Sequence, residues 1–197
     1  MTQLAILIDL DKCIGCHSCT VACQMENGLP PGKYWSKVHQ IGPVGTFPDL
    51  DMYFLPVLCQ HCNSPECVRV CPTGASQKRE DGIVLVDREV CIGCQYCVLA
   101  CPYGVRTYSP DEGVIEKCTM CAHLIERGDI PACVKTCTGK ARYFGDIDDP
   151  NSEISVKMRE AGENLHALVD VGNKPSVGSV GSTFKYDRWG FIESTPY

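Results

Sequence analysis

Nowhere does the sequence hold the run of about 18 apolar residues that a bilayer-crossing helix needs, so no direct membrane span is expected. Positive charge is also scarce. The formal net charge of −6 argues against nucleic acid as a partner, because such surfaces gather Lys and Arg. The opening residues, MTQLAILIDLDKC, lack a basic n-region, a small-residue cleavage site and a twin-arginine pair. No export signal of its own is therefore expected. The sequence has no Ser/His/Asp set, no phosphate-binding loop and no dinucleotide fingerprint, which leaves hydrolytic and nucleotide chemistry without their usual residues. His17, His39, His123 and His166 show no metal-ligand spacing and read as surface or packing residues.

One residue type is in excess. Cysteine occupies 16 of 197 positions, and the arrangement repeats. "LIDLDKCIGCHSCTVAC" returns as "LVDREVCIGCQYCVLAC" at an offset of 78 residues. These runs supply Cys13, Cys16, Cys19 and Cys23, then Cys91, Cys94, Cys97 and Cys101. Two looser variants, Cys59, Cys62, Cys67 and Cys71, then Cys118, Cys121, Cys133 and Cys137, complete four quartets with no cysteine left over. A short apolar run precedes each quartet. "REDG" (79–82) and "PDEG" (110–113) are turn signals that mark hairpins between quartets. The unit is a strand, a cysteine loop, a short helix starting near the third cysteine, and a return strand. This α+β unit recurs four times, as two pairs.

Three thiolates spaced C-x2-C-x2-C sit on one tight loop and can hold three corners of an iron–sulfur cube. The fourth lies along the following helix and points to the other member of a two-cluster pair. Gly15 and Gly93 suit the left-handed backbone that turns amides toward cluster sulfurs. Pro72 and Pro102 follow the fourth cysteine and stop the local pattern. Zinc takes four ligands as two separated pairs, so a tight triplet would waste one. A disulfide scaffold fits the even count, but cysteines two apart on tight loops pair poorly, and the chain is long for such a scaffold. The spacing therefore predicts four [4Fe–4S] clusters, and it leaves open which quartets exchange their fourth ligands.

Residues 4 to 148 resemble the four-cluster electron-transfer subunit of the molybdenum/tungsten bis-pterin oxidoreductases, the dimethyl sulfoxide reductase superfamily. The likeness is carried by "DLDKCIGCHSCTVACQMENGLP", "YFLPVLCQHCNSPECVRVCPTGA", "REDGIVLVDREVCIGCQYCVLACPYGVR" and "EKCTMCAHLIERGDIPACVKTCTGKARYFGDIDDPNSE". "VGNKPSV" (171–177) is similar to the family's G-T-K-P-x-V, and the ending after it departs from the family. The resemblance implies two intertwined bacterial-ferredoxin-like units. One is formed by 1–58 with 109–147 and the other by 59–108, with an insertion at 24–58 and a C-terminal tail at 148–197 that packs on a partner. It implies nested ligand sets: Cys13, Cys16, Cys19 and Cys137; Cys23, Cys118, Cys121 and Cys133; Cys59, Cys62, Cys67 and Cys101; Cys71, Cys91, Cys94 and Cys97.

By the same resemblance the chain has no catalytic site of its own. It relays electrons between a catalytic subunit holding the Mo/W bis-pterin cofactor and a membrane quinol-oxidising subunit or c-type cytochrome. A free-standing polyferredoxin, or a module of a hydrogenase or formate dehydrogenase, is the alternative. Periplasmic placement by co-export with a twin-arginine-tagged partner is expected over a cytoplasmic one. Among the remaining polar residues, His61 reads as a partly exposed loop histidine, and Lys12 and Lys117 as solvated lysines. Tyr96 and Tyr103 read as shields against water. Residues 24–58 read either as a partner anchor or as a loop covering the first cluster.

Overall fold

The computed structural model describes residues 2–181. Strand β1 (Leu4–Asp9) reads LAILID with no polar alternation, and the fold explains why: both of its faces are covered. Ala5 and Leu7 point to one side, against helix α6 (Glu153–Ala161) through Ile154. Ile6 and Ile8 point to the other, into the main core with Leu55, Leu58, Ile83, Met120, Leu168 and Val177. Each of the fully buried Ile and Leu side chains contributes about 1.5–3 kcal/mol by leaving water.

Around β1 a four-stranded sheet forms in the order β8 (Arg142–Asp146), β1, β10 (Gly178–Val180), β9 (Leu165–Ala167). Strand β8 lies antiparallel to β1, with Leu4 opposite Asp146 and Ile8 opposite Arg142. Strand β10 runs parallel to β1 on the other edge, and β9 pairs antiparallel with β10. The β1–β8 pairing brings the residues before the first quartet alongside those after the last.

Three hairpins join successive quartets. Strands β2 (Lys37–Thr46) and β3 (Asp49–Val57) link the first to the second. Strands β4 (Ser76–Lys78) and β5 (Val84–Val86) link the second to the third across the "REDG" turn. Strands β6 (Thr107–Ser109) and β7 (Val114–Glu116) link the third to the fourth across "PDEG". The short helices also stand where the repeat places them. Helices α1 (Ser18–Asn27), α2 (Glu66–Arg69), α3 (Tyr96–Leu99) and α5 (Ala132–Lys135) each begin one residue before the third cysteine of a quartet. Helix α4 (Ala122–Ile125) fills the long gap of the last quartet.

Two stretches differ from expectation. The Pro/Gly-rich insertion is not an open loop but mostly the β2–β3 hairpin. Its glycine and proline at 42–43 sit where the strand register shifts between Ile41 and Val44. Residues 148–181, expected in an extended tail, fold back as α6, β9 and β10 on this chain's own sheet. The expectation for 182–197 lies outside the described residues.

Candidate cluster-binding site

Each quartet opens with the same backbone turn. The residue just before the second cysteine has positive φ in all four: Gly15 (65°), His61 (42°), Gly93 (64°) and Met120 (55°). Glycine makes this conformation inexpensive in two of them. In the other two the left-handed turn costs about 1–2 kcal/mol, offset by burying the side chain: His61 is 0% and Met120 1% exposed. The turn aims amides at sulfur. The Met120 N–H donates to Cys118 Sγ at 3.4 Å, and the Gly15 N–H donates to Cys13. After the fourth cysteine the return strands do likewise, with Ala141 N–H on Cys137 Sγ at 3.2 Å and Ser76 N–H on Cys71 Sγ at 3.4 Å.

The tertiary fold then mixes the quartets. Cys13, Cys16, Cys19 and Cys137 together line one pocket, partly open to solvent and walled by Ile8, Val38, Pro56 and Arg142. Cys23, Cys118, Cys121 and Cys133 line a second pocket, walled by Ile6, Trp35 and Leu58. The hairpin and the turn leading into it contribute to these walls, and the Phe54 ring lies against Gly15, which favours the reading of 24–58 as a cover over the first loop. The inner quartets also feel one another's charge. Burial, then the charges of Cys59, Cys67 and Cys101, pushes the Cys62 thiol up to about 12, against a hydrogen bond from Asn173. Burial, then Cys71 and Cys91, pushes Cys97 up, while Arg106 opposes the rise. Cys16 and Cys94 are exposed.

The chemistry of these donors fits a metal–sulfur group. All sixteen cysteines are free thiols. Burial and the neighbouring sulfurs push Cys23 up to about 12 and Cys118 well above the usual thiol range. Thiols packed this way ionise together only if positive charge enters among them, which bound iron supplies as it displaces the protons. Among the described residues, no three His, Cys, Asp or Glu side chains close to the spacing that holds a single ion.

Basic and polar side chains complete the site, and several depart from expectation. His61 is fully buried rather than partly exposed. Its Nδ1 accepts from the Val84 N–H at 3.0 Å, and burial holds the ring below its usual range. Burial acts to raise Cys59, yet His61 and then Lys117 outweigh it and hold that thiol at about 5. Lys117 is 2% exposed rather than solvated, and its Nζ donates to the carbonyls of Val84 and Cys118. Lys12 is exposed as expected and pairs with Asp9 at 2.9 Å. Tyr103 is buried and donates to the Val169 carbonyl at 2.9 Å, whereas Tyr96 stands 58% exposed and shields little.

Three functional side chains were not singled out from sequence. Arg142 Nη2 donates to Cys19 Sγ at 3.4 Å and to Ser36 Oγ at 3.2 Å. Arg106 Nη2 donates to Cys67 Sγ at 2.8 Å and to Ser76 Oγ at 2.9 Å. Asn173, in "VGNKPSV", donates through Nδ2 to Cys62 Sγ at 3.0 Å and to Tyr103 OH at 2.7 Å. The same strap bonds the second cysteine loop, with Asn63 N–H on Lys174 O at 2.7 Å and Ser64 N–H on Asn173 O at 3.0 Å.

Comparison with known proteins agrees with this chemistry. Two 4Fe-4S dicluster domains match, over residues 50–147 and 12–75. The chain is thus an iron–sulfur protein with ferredoxin-like domains of mixed helix and strand. It is 44% identical to a subunit of the sulfite dehydrogenase of Allochromatium vinosum, over 89% of this chain and 82% of that one. A subunit of the tetrathionate reductase of Salmonella typhimurium is also 44% identical, over 91% of this chain and 72% of the relative. The arsenate respiratory reductase iron-sulfur subunit of a Shewanella species is 37% identical over 90% and 93%. The chain belongs to this family, the iron–sulfur electron-transfer subunits of the molybdenum/tungsten oxidoreductases.

Proposed function

We propose that the sixteen thiols hold four [4Fe–4S] clusters in nested sets. The first set is Cys13, Cys16, Cys19 and Cys137, and the second is Cys23, Cys118, Cys121 and Cys133. The third is Cys59, Cys62, Cys67 and Cys101, and the fourth is Cys71, Cys91, Cys94 and Cys97. The observation that carries this reading is that each of two pockets is lined by four thiols drawn from the first and last quartets, three from one and one from the other. When bound, such a cube takes up and releases one electron.

The chain's own residues bind, shield and align. Buried thiols, inward amides and apolar walls exclude water from the middle of the row. The closeness of Cys118 to both Cys23 and Cys59 supports an order in which the second and third sets are neighbours. The exposed Cys16 and Cys94 then mark the two ends, where electrons enter and leave. The nested sets divide the chain into one unit of 1–58 with 109–147 and another of 59–108.

One end serves a catalytic subunit holding a Mo/W bis-pterin cofactor, and the other a quinol-oxidising membrane subunit or a c-type cytochrome. This chain supplies no catalytic site of its own. Relatives named for sulfite, tetrathionate and arsenate enzymes are similar along most of its length, so substrate choice belongs to the catalytic partner. Their description as subunits disfavours a free-standing carrier. No helix among the described residues is long and apolar enough to cross a membrane, in keeping with a separate membrane partner. We place the complex in the periplasm, by co-export with a twin-arginine-tagged partner.

The test is anaerobic isolation of the native complex with iron, molybdenum and tungsten analysis. About sixteen irons per chain (four cubes of four) and a co-purifying Mo- or W-bearing chain are expected. About eight irons would remove half of the reading, and an isolated monomer free of Mo and W would favour a diffusible carrier.

A further inference from the structure

Two buried arginines each donate to a thiol of one set and act by charge on a thiol of another. Arg142 is 5% exposed and Arg106 4% exposed. Arg142 donates to Cys19 of the first set at 3.4 Å, and its charge also lowers Cys133 of the second. Arg106 donates to Cys67 of the third at 2.8 Å, and its charge also lowers Cys97 of the fourth. Each stands five residues after the last cysteine of its quartet, Cys137 or Cys101, so the two units place the same side chain at the same point. Each uses Nη2 for a sulfur and a serine hydroxyl, while its buried Nη1 has no hydrogen-bond partner.

A buried guanidinium is costly unless an opposite charge answers it. Among the described residues no carboxylate does so. The ion pairs there use Lys12, Lys33, Arg69, Arg79, Arg88, His123, Lys135 and Lys157, and neither buried arginine. The thiolates are the available counter-charge, and each arginine shares itself between two sets of them.

We propose that Arg142 and Arg106 are positioning residues for electron transfer, each a fixed cation at the boundary of one pair of thiol sets that raises the electron affinity of both members together. The proposal rests on the nested reading above. Guanidinium stays protonated in proteins, so this charge does not depend on pH. Its burial removes it from salt screening. Because one charge acts on both members, it brings their affinities up in step and keeps the pair level for passage in either direction. A hydrogen bond without charge, such as that from Asn173, acts on one sulfur alone.

The experiment is an EPR-monitored redox titration of the native complex carrying Arg142→Gln, Arg106→Gln, or the charge-keeping Arg142→Lys and Arg106→Lys. With Arg142→Gln, the one-electron equilibrium of both outer-pair clusters should shift toward oxidation by about tenfold, which is about 59 mV for one electron. The inner pair should stay where it was. Arg106→Gln should do the reverse, and both Lys variants should return to within about twofold of the parent (an expectation from retained charge). Should a Gln variant fail to assemble, its Lys partner carries the test: near-parent potentials support the proposal, and a tenfold shift overturns it. A Gln variant that keeps its iron and moves neither member, only one member, or all four clusters equally also overturns it. Iron content separates this from the reading beneath it. About sixteen irons with unmoved potentials sinks the arginine proposal alone, whereas about eight irons in the parent sinks both.

Discussion

Replacing Gly139 with alanine should empty one thiol set and leave three filled. Gly139 lies two residues after Cys137, and a Cβ built on it would stand 2.6 Å from the backbone carbonyl oxygen of Lys12, the residue before Cys13. Carbon–oxygen contacts relax near about 3.3 Å, so the two backbones must part by about 0.7 Å. Neither is a flexible side-chain end that can swing aside. Forced separation of packed segments costs about 1–3 kcal/mol. For a chain of this size that lowers the unfolding midpoint by roughly 2–12 °C. The strain falls on the junction between Cys13 and Cys137, so iron should drop from about sixteen to about twelve per chain. Gly104→Ala is the control. Gly104 is left-handed (φ 59°) with no atom within 4 Å of a built Cβ, so it costs about 1–2 kcal/mol of backbone strain and should lose no iron. The assay is iron analysis with thermal unfolding on anaerobic complex. Full iron retention in Gly139→Ala, or equal iron loss in both variants, would refute the reasoning.

Asn173→Ala removes the donor to Cys62 Sγ and one of the hydrogen bonds at the Tyr103 hydroxyl. It should cost about 1–3 kcal/mol in a denaturation series, and a loss under about 0.5 kcal/mol would show that the strap is not held there. Burial, and then the Lys37 charge, hold the His39 imidazole below its usual range. The unfolded chain therefore binds the proton first, and stability present above about pH 6.5 is lost as the pH falls through the unfolded value toward the lower folded one. His39→Gln should flatten that acid limb, and an unchanged limb between the two proteins would contradict the assignment. Iron release to a chelator in air should be biphasic, with the sets holding exposed Cys16 and Cys94 emptied first. A single phase covering all the iron would count against the order of the row.

Local features were readable from sequence because local chemistry makes them. The helices begin beside the third cysteine, and the hairpins fall at "REDG" and "PDEG", since turn residues and cysteine spacing act within a few residues. Partnership between distant quartets is a tertiary matter, made by β1 pairing with β8 across more than a hundred residues, and no spacing records it. His61 and Met120 carry the left-handed turn without glycine, so their loops hid the feature that Gly15 and Gly93 announce. Charged residues read as solvated by default, which misjudged Lys117 and passed over Arg106 and Arg142. Their shared offset from Cys101 and Cys137 was the missed signal. Gly and Pro in 24–58 mark a register shift rather than an open loop, and β10 is three residues long, too short for its pattern to stand out in 148–181.

The central claim concerns where iron sits, and anomalous diffraction at the iron edge from crystals of the intact complex addresses it most directly. The expected map has four iron maxima in a row, each enclosed by three cysteines of one quartet and one from its nested partner, beginning with Cys13, Cys16, Cys19 and Cys137. Two maxima, or four maxima each ringed by consecutive cysteines of a single quartet, would contradict it.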